Sequence, residues 1–235
     1  MEFTGRCVVL TGVSRGLGAA LLDQLIESGD HVVAIGRTFT AEQHRLAAAQ
    51  PSRLRLHCAD LGSRLIPGVD TFRTFFAAAG NRPVVLMHNA ATISPLGTVG
   101  NLPPDDVAQA IAVNLTSVIM LTNSFLAARP PEAVARIVLV SSRAAEVAKV
   151  GQSIYTATKS GAERFLDGVA LECAMDPRIQ VFCVRAPAMD TGMQEDIRAA
   201  VALPDRDQFI GRYLRGELTD ADEVASKIIA DYLVF

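Results

Sequence analysis

Tryptophan is absent from the 235 residues, and lysine, tyrosine, histidine and cysteine are each rare. So few lysines leave no basic tract. With a formal charge of −3, the chain has no electrostatic reason to bind nucleic acid or an anionic membrane. Cys7, Cys58, Cys173 and Cys183 are scattered without metal-ligand spacing, and each is expected to be a buried core thiol of a reducing cytoplasm. His31, His44, His57 and His88 offer neither ligand spacing nor a nucleophile partner, so no metal is expected. The longest apolar runs fall far short of a bilayer span, and no membrane segment is expected. The opening stretch, Met1-Glu2-Phe3-Thr4-Gly5-Arg6, runs straight into an apolar strand and does not read as a signal peptide.

Apolar residues are what the chain has most of. Half of it is hydrophobic and only 20% is charged, which argues against disorder. Its length suits a single α/β domain over residues 1–235. Short apolar runs alternate with helical stretches, the pattern of βα units wound into a doubly wound parallel sheet with helices on both faces. Strands are expected at 7–11, 32–35, 54–58, 84–87, 137–140 and 179–184. Helices are expected at 17–29, 41–49, 65–79, 103–128, 153–174 and 221–233. The last three strands are unbroken apolar runs, which suits strands covered on both faces. Residues 187–216, polar in large part and interrupted by Pro204, read as an excursion above the sheet that orders on binding.

Thr11-Gly12-Val13-Ser14-Arg15-Gly16-Leu17-Gly18 lies between the first strand and the first helix. Glycines let backbone approach a phosphate, and the free N–H groups and positive dipole end of a helix start suit a pyrophosphate. Gly12, Ser14, Arg15, Gly16, Leu17 and Gly18 are therefore candidate dinucleotide contacts. At the end of the second strand an NAD binder usually carries Asp or Glu. This chain reads Ala34-Ile35-Gly36-Arg37-Thr38 there. Arg37, with Arg15, suits the 2′-phosphate of NADPH, because a guanidinium meets phosphate as a planar fork; the other reading of Arg37 is a solvated arginine after a strand. Asp60, followed by Leu61 at the end of the third strand, either accepts a hydrogen bond from the adenine amine or caps the next helix.

Tyr155 and Lys159, in Tyr155-Thr156-Ala157-Thr158-Lys159, share one helix face. A nearby ammonium is expected to lower the phenol's pKa and make it a usable acid near neutral pH.

With the glycine loop and this pair both present, the chain resembles the short-chain dehydrogenases/reductases over nearly its whole length. The loop matches the family's Thr-Gly-x-x-x-Gly-x-Gly, and His88-Asn89-Ala90-Ala91 resembles its Asn-Asn-Ala-Gly. Asn114 falls where the family has a helix asparagine, and Ser142 stands at the family's spacing before Tyr155. Pro187-Ala188-Met189-Asp190-Thr191 resembles its Pro-Gly-x-x-Thr region. Within the family, Val13–Gly18, Ser142–Ala145 and Asp190–Gln194 are similar to the sepiapterin reductase and benzil reductase branch.

The resemblance implies a Rossmann-type oxidoreductase that passes a hydride from NADPH to a ketone or dicarbonyl. Tyr155 would then be the proton donor. Ser142 would hold the carbonyl oxygen, with Ser141 as the rival one register away. Lys159 would tune the phenol and hold the nicotinamide ribose. Asn114 would prop a water chain to Lys159; on its residues alone it is a satisfied core amide. Asn89, Ala90, Pro187 and Thr191 would contact the cofactor. Arg143, Val147, Met189, Met193 and Leu203 would wall a mostly apolar substrate pocket, with Glu146 and Arg143 adding polar contacts. A homodimer would form through the helices near 105–128 and 153–174, the second carrying the small residues Ala157, Gly161 and Ala162. The chain departs from the family at Asp231-Tyr232-Leu233-Val234-Phe235, where the last strand is reduced or missing. A non-catalytic NADPH sensor or scaffold of the same fold is the alternative, but it has no need of Ser142, Tyr155 and Lys159 together. An epimerase or dehydratase of the extended branch shares the Tyr/Lys pair but not the glycine spacing.

Overall fold

The computed structural model describes residues 5–63, 65–77, 80 and 82–235. Residues 1–4, which open the stretch read as no signal peptide, and residues 78–79 at the end of the third expected helix lie outside the described residues.

Six strands form one parallel sheet. They are β1 (Cys7–Thr11), β2 (His31–Gly36), β3 (Leu54–Cys58), β4 (Val84–His88), β5 (Ala135–Ser142) and β6 (Ile179–Ala186), in the order β3-β2-β1-β4-β5-β6. The order reverses between β1 and β4, the kind of switch point at which open α/β sheets bind ligands beyond their carboxyl ends. Val8 and Leu10 of β1 pack on one side, against α1 (Gly16–Glu27) and α9 (Ala221–Tyr232). Cys7 and Val9 pack on the other, with α3 (Val69–Ala77), α5 (Ser117–Ala128) and α6 (Ser153–Glu172). The period-two alternation of a strand thus gives an apolar run two buried faces when helices cover both. Phe72, Phe76 and Phe125 meet with ring centres 5.5 to 6.1 Å apart, contacts worth about 0.5–1.5 kcal/mol each beyond the area they bury.

Several expectations need correction. β6 is covered only in part: Ile179, Val181 and Cys183 pack on the α6 side and Phe182, Val184 and Ala186 on the α9 side, but at the sheet edge its residues stay half-buried or exposed. The expected reduction of the C-terminal strand holds: among the described residues no seventh strand follows α9. The final residues are instead fastened by side chains. Arg6 donates to the Leu233 carbonyl at 2.6 Å, and Arg136 donates to the Tyr232 carbonyl at 2.7 Å while lying 4.1 Å from the Phe235 ring centre. Of the four cysteines only Cys7 is buried; Cys58 is exposed at the end of the other edge strand, β3, and Cys173 and Cys183 are intermediate. The stretch Pro104–Ala128 is long and apolar enough to cross a bilayer by length and composition. Here Val118, Leu121 and Phe125 turn to the sheet, while Ile111, Ile119 and Met120 stay exposed. It is α4 (Pro104–Ile111) and α5 joined through a π-helical turn at Ala112–Thr116, a distortion that frequently marks functional sites.

The excursion carries two helices, α7 (Gly192–Ala199) and α8 (Arg206–Leu214). It extends slightly beyond the expected end. The Thr219 N–H reaches the Ala188 carbonyl at 2.9 Å and the Asp190 N–H reaches the Thr219 carbonyl at 3.2 Å, which closes its base.

Candidate active site

The glycine loop is held in place by partners far along the chain. The Thr11 hydroxyl accepts the N–H groups of Asn89 and Ala90 at 3.0 Å each. The Asn89 amide donates to the carbonyls of Thr11 at 3.1 Å and Gly12 at 2.8 Å. Gln43, in α2 (Ala41–Ala49), donates to the Val13 carbonyl at 2.7 Å. A Cβ on Gly18 would lie 1.9 Å from the Gly12 carbonyl oxygen, so no larger residue fits there. Arg15 occupies the N-cap of α1 without capping it through its side chain, and the first turn holds no acidic residue. The open N–H groups and the positive dipole end therefore face the loop, a ready anion site.

A cavity of about 940 Å³ runs from this loop across the carboxyl ends of the strands. One end is lined by Gly12, Ser14, Arg15, Gly16, Leu17, Gly18, Arg37, Asp60, Leu61, Asn89 and Ala90. The other end holds Ser142, Arg143, Val147, Tyr155, Lys159, Pro187, Met189, Thr191 and Met193. Every site residue expected from the sequence lines it except Asn114, Glu146 and Leu203. The close-approach glycines, the uncapped helix start and the exposed Arg37, whose guanidinium makes no ion pair among the described residues, fit a dinucleotide phosphate. Arg15 leans elsewhere, over Gly192 and to within 3.4 Å of the Asp196 carboxylate on α7. Asp60 caps a turn, not a helix: its carboxylate accepts the Gly62 N–H at 2.9 Å, and α3 begins only at Val69.

Ser142 ends β5 and its hydroxyl faces the phenol of Tyr155. It also accepts the Ala144 N–H at 3.2 Å. Ser141 points away, toward Glu163, as alternation along a strand requires. Tyr155 and Lys159 are both buried on α6. The Lys159 ammonium donates to the Val140 carbonyl at 2.8 Å and lies 5.8 Å from the Tyr155 ring centre. Burial pulls its pKa down to about 8, while the Glu163 carboxylate one turn on works in the opposite sense. Burial also opposes the charge on Glu163, yet hydrogen bonds from Arg185 at 3.1 and 2.7 Å, with the Ser141 hydroxyl nearby, hold its carboxyl below the usual range. The expected lowering of the phenol is not what the protein shows: burial raises Tyr155, and only the bond with Ser142 works against that. The amide of Asn114, in the π-helical turn, is saturated. It accepts the Thr92 N–H at 2.8 Å and donates to the Thr92 carbonyl at 2.8 Å and the Thr158 hydroxyl at 3.2 Å.

At the substrate end Ile197, Gln208, Phe209 and Arg212 of the expected excursion also line the cavity, though the sequence did not single them out, and Gln152 was missed. They sit in segments with no recurrent spacing. Leu203 does not reach the cavity; it packs beside Gly151 in the cluster beneath it. Glu146 turns out of the site to meet Arg185 at 2.5 Å.

His88 ends β4 fully buried, with Nε2 2.9 Å from the Thr122 hydroxyl. Burial, helped by the Lys159 charge, pulls its pKa down to about 3. The unfolded chain therefore binds the His88 proton more readily. The stability from a neutral His88 is fully present above its unfolded pKa of about 6.5 and is lost as pH falls toward about 3. Between about pH 7.5 and about pH 5 the loss amounts to about 2 kcal/mol. In His88→Asn, urea unfolding at the two pH values should show that much less acid destabilisation; an unchanged difference would exclude this histidine as the cause.

These elements and this site define a Rossmann-type oxidoreductase scaffold, and the sequence comparisons agree. The family profile of the short chain dehydrogenases matches residues 6–202, and the chain belongs to that family. It is 28% identical over 231 residues to a benzil reductase ((S)-benzoin forming) of Bacillus cereus, covering 95% of this chain and 92% of that one. It is 30% identical over 235 residues to the sepiapterin reductase of Meriones unguiculatus, covering 94% and 88%. A solved short chain dehydrogenase of Burkholderia cenocepacia, in complex with NADP, superposes with a TM-score of 0.75 at 24% identity, covering 97% and 91% of the two chains.

Proposed function

We propose that the chain reduces a ketone or dicarbonyl to an alcohol at the expense of NADPH. The observation that carries this is the meeting of Ser142, Tyr155 and Lys159 in the same cavity as the glycine loop. When bound, NADPH supplies the hydride. Gly12, Ser14, Gly16, Leu17 and Gly18 hold its pyrophosphate, and Asp60, Leu61, Asn89 and Ala90 line its adenosine and ribose side. Pro187 and Thr191 meet its carboxamide. Ser142 fixes the substrate oxygen by a hydrogen bond, and Tyr155 gives that oxygen a proton. Lys159 holds the ribose hydroxyls and keeps a positive charge behind the phenol. Asn114 braces α6 from below through Thr158, next to the lysine's own turn.

NADPH oxidation measured against a panel of ketones, aromatic diketones and pteridine carbonyls tests this reading. Turnover of at least one class supports it, and tight NADPH binding with no turnover of any would favour the sensor. Arg37, which makes no ion pair among the described residues, supports a preference for NADPH over NADH. Arg37→Ala should cut the NADPH-to-NADH ratio of kcat/KM by about tenfold to a hundredfold, on the order of one lost charge-assisted phosphate contact. An unchanged ratio would remove the arginine from that role.

The reading extends to a cytoplasmic homodimer. Ile111, Ile119 and Met120 on the α4–α5 stretch and Leu171 on α6 are exposed, as is Ala157. Ala162 is fully buried in the core and is not available to a partner. Gel filtration should give twice the chain mass, and Met120→Glu should shift the peak toward the monomer. A monomer at micromolar concentration would end the proposal.

A further inference from the structure

Three cations stand at the substrate end of the cavity, and the roles above leave two of them without a task. Arg143 opens the short turn after Ser142, Lys149 lies in the loop before α6, and Arg212 is on α8. All three line the cavity that holds Ser142 and Tyr155. None makes an ion pair among the described residues. Their neighbours Arg185 and Arg215 do, with Glu146 and Glu217.

The three feel one another. Besides partial burial, Arg212 and Arg143 both hold the Lys149 ammonium below its ordinary pKa, and Asp205 alone pulls the other way. Glu217 also lines the cavity, and its carboxylate is engaged first by Arg215 and then by the field of Arg212. Like charges that face one cavity repel, and an arriving anion relieves that repulsion. A guanidinium offers a carboxylate two parallel donors. The floor between these cations and the phenol is apolar. Phe209, 5.2 Å from the Lys149 ammonium, packs in one cluster with Ile93, Ala144, Tyr155 and Ile197.

We propose that this end of the cavity selects a keto acid: its ketone at Ser142 and Tyr155, its apolar body over Phe209 and Ile197, its carboxylate among Arg143, Lys149 and Arg212. The inference rests on the reductase reading for the ketone, but the anion site can be tested apart from it. With NADPH present, phenylbutanoate should bind about tenfold more tightly than phenylbutanol, a difference of about 1.4 kcal/mol. Benzoylpropionate should be reduced with a kcat/KM about tenfold above that of its methyl ester. Both ratios should fall toward one in Lys149→Met/Arg212→Met. If melting shows that double variant to be unfolded, the single variants Lys149→Met and Arg212→Met should each lower the ratios part of the way. Equal binding of acid and alcohol, or ratios that survive the variants, would overturn the inference while leaving the reductase intact. An acid preference that persists when no ketone oxidises NADPH would overturn the reductase reading and keep the anion site.

Discussion

Tyr155→Phe should bind NADPH as the parent does and lose turnover by about a hundredfold to ten-thousandfold, the range for removing a positioned general acid. The substitution is a narrow one. The ring keeps its place in the cluster with Ile93, Ala144, Ile197 and Phe209, so the fold should survive. What disappears is the hydroxyl and its bond with Ser142. Burial raises the phenol's pKa, which keeps the proton on oxygen throughout the neutral range. A group that must deliver a proton to a developing alkoxide benefits from that, since a phenolate would have nothing to give. Fluorescence titration with NADPH and initial-rate kinetics on the best ketone of the panel make the comparison. Parent-like turnover in the phenylalanine variant would remove Tyr155 from the chemistry.

Lys159→Met should be more severe, because two functions fail together: turnover is lost and NADPH binding weakens. The ammonium is buried and donates to the Val140 carbonyl. Methionine fills the space but leaves that carbonyl without its donor, a penalty of about 1–3 kcal/mol for a buried acceptor. Melting should therefore be recorded alongside kinetics, to separate a weakened fold from a missing charge. The pH profile of the parent enzyme supplies an independent readout. A lysine drawn down to about 8 is an ammonium below that pH and loses its charge as pH rises through it. Activity that needs the charge should be level through neutrality and fall by about tenfold for each pH unit above about 8. A rate that stays level to about pH 10 would show that the charge is not required.

The sheet, the glycine loop and the Tyr155/Lys159 pair were legible because each is a local signal. Cys7–Thr11 is an apolar run with a glycine turn behind it, and a helix puts residues four apart on one face whatever surrounds it. The forces that set the loop's shape were not legible. Gln43 holds the Val13 carbonyl from another helix; Thr40 marks it in sequence as a capping-box residue, and nothing nearby points to the glycine loop. The electrostatics of Lys159 depend on Glu163, and those of Glu163 on Arg185, a chain of influence that crosses from α6 to β6. Asp60 was read as adenine contact or helix cap, and the structure uses its carboxylate on the Gly62 N–H, because the next helix starts later than the apolar pattern suggested. β6 was misjudged for a related reason. Val181–Val184 is as apolar as β4 and packs on both faces, but how deeply such a run is buried also depends on whether another strand closes its edge. Lys149 and Arg212 lie far apart in the sequence, and only the fold brings the loop and α8 to the same cavity.

The paired hydrogen bonds between Ala188 and Thr219, and between Thr219 and Asp190, bring the excursion back to the point where it leaves the sheet. Everything between them, α7 and α8 included, is thereby a cassette with two ends fixed at one place. Its length can change in descent without altering the separation between β6 and α9, provided that Ile197 and Phe209 still pack against Tyr155. Much of the substrate end, Met193, Ile197, Phe209 and Arg212 among it, is thus carried on a segment separate from Ser142, Tyr155 and Lys159.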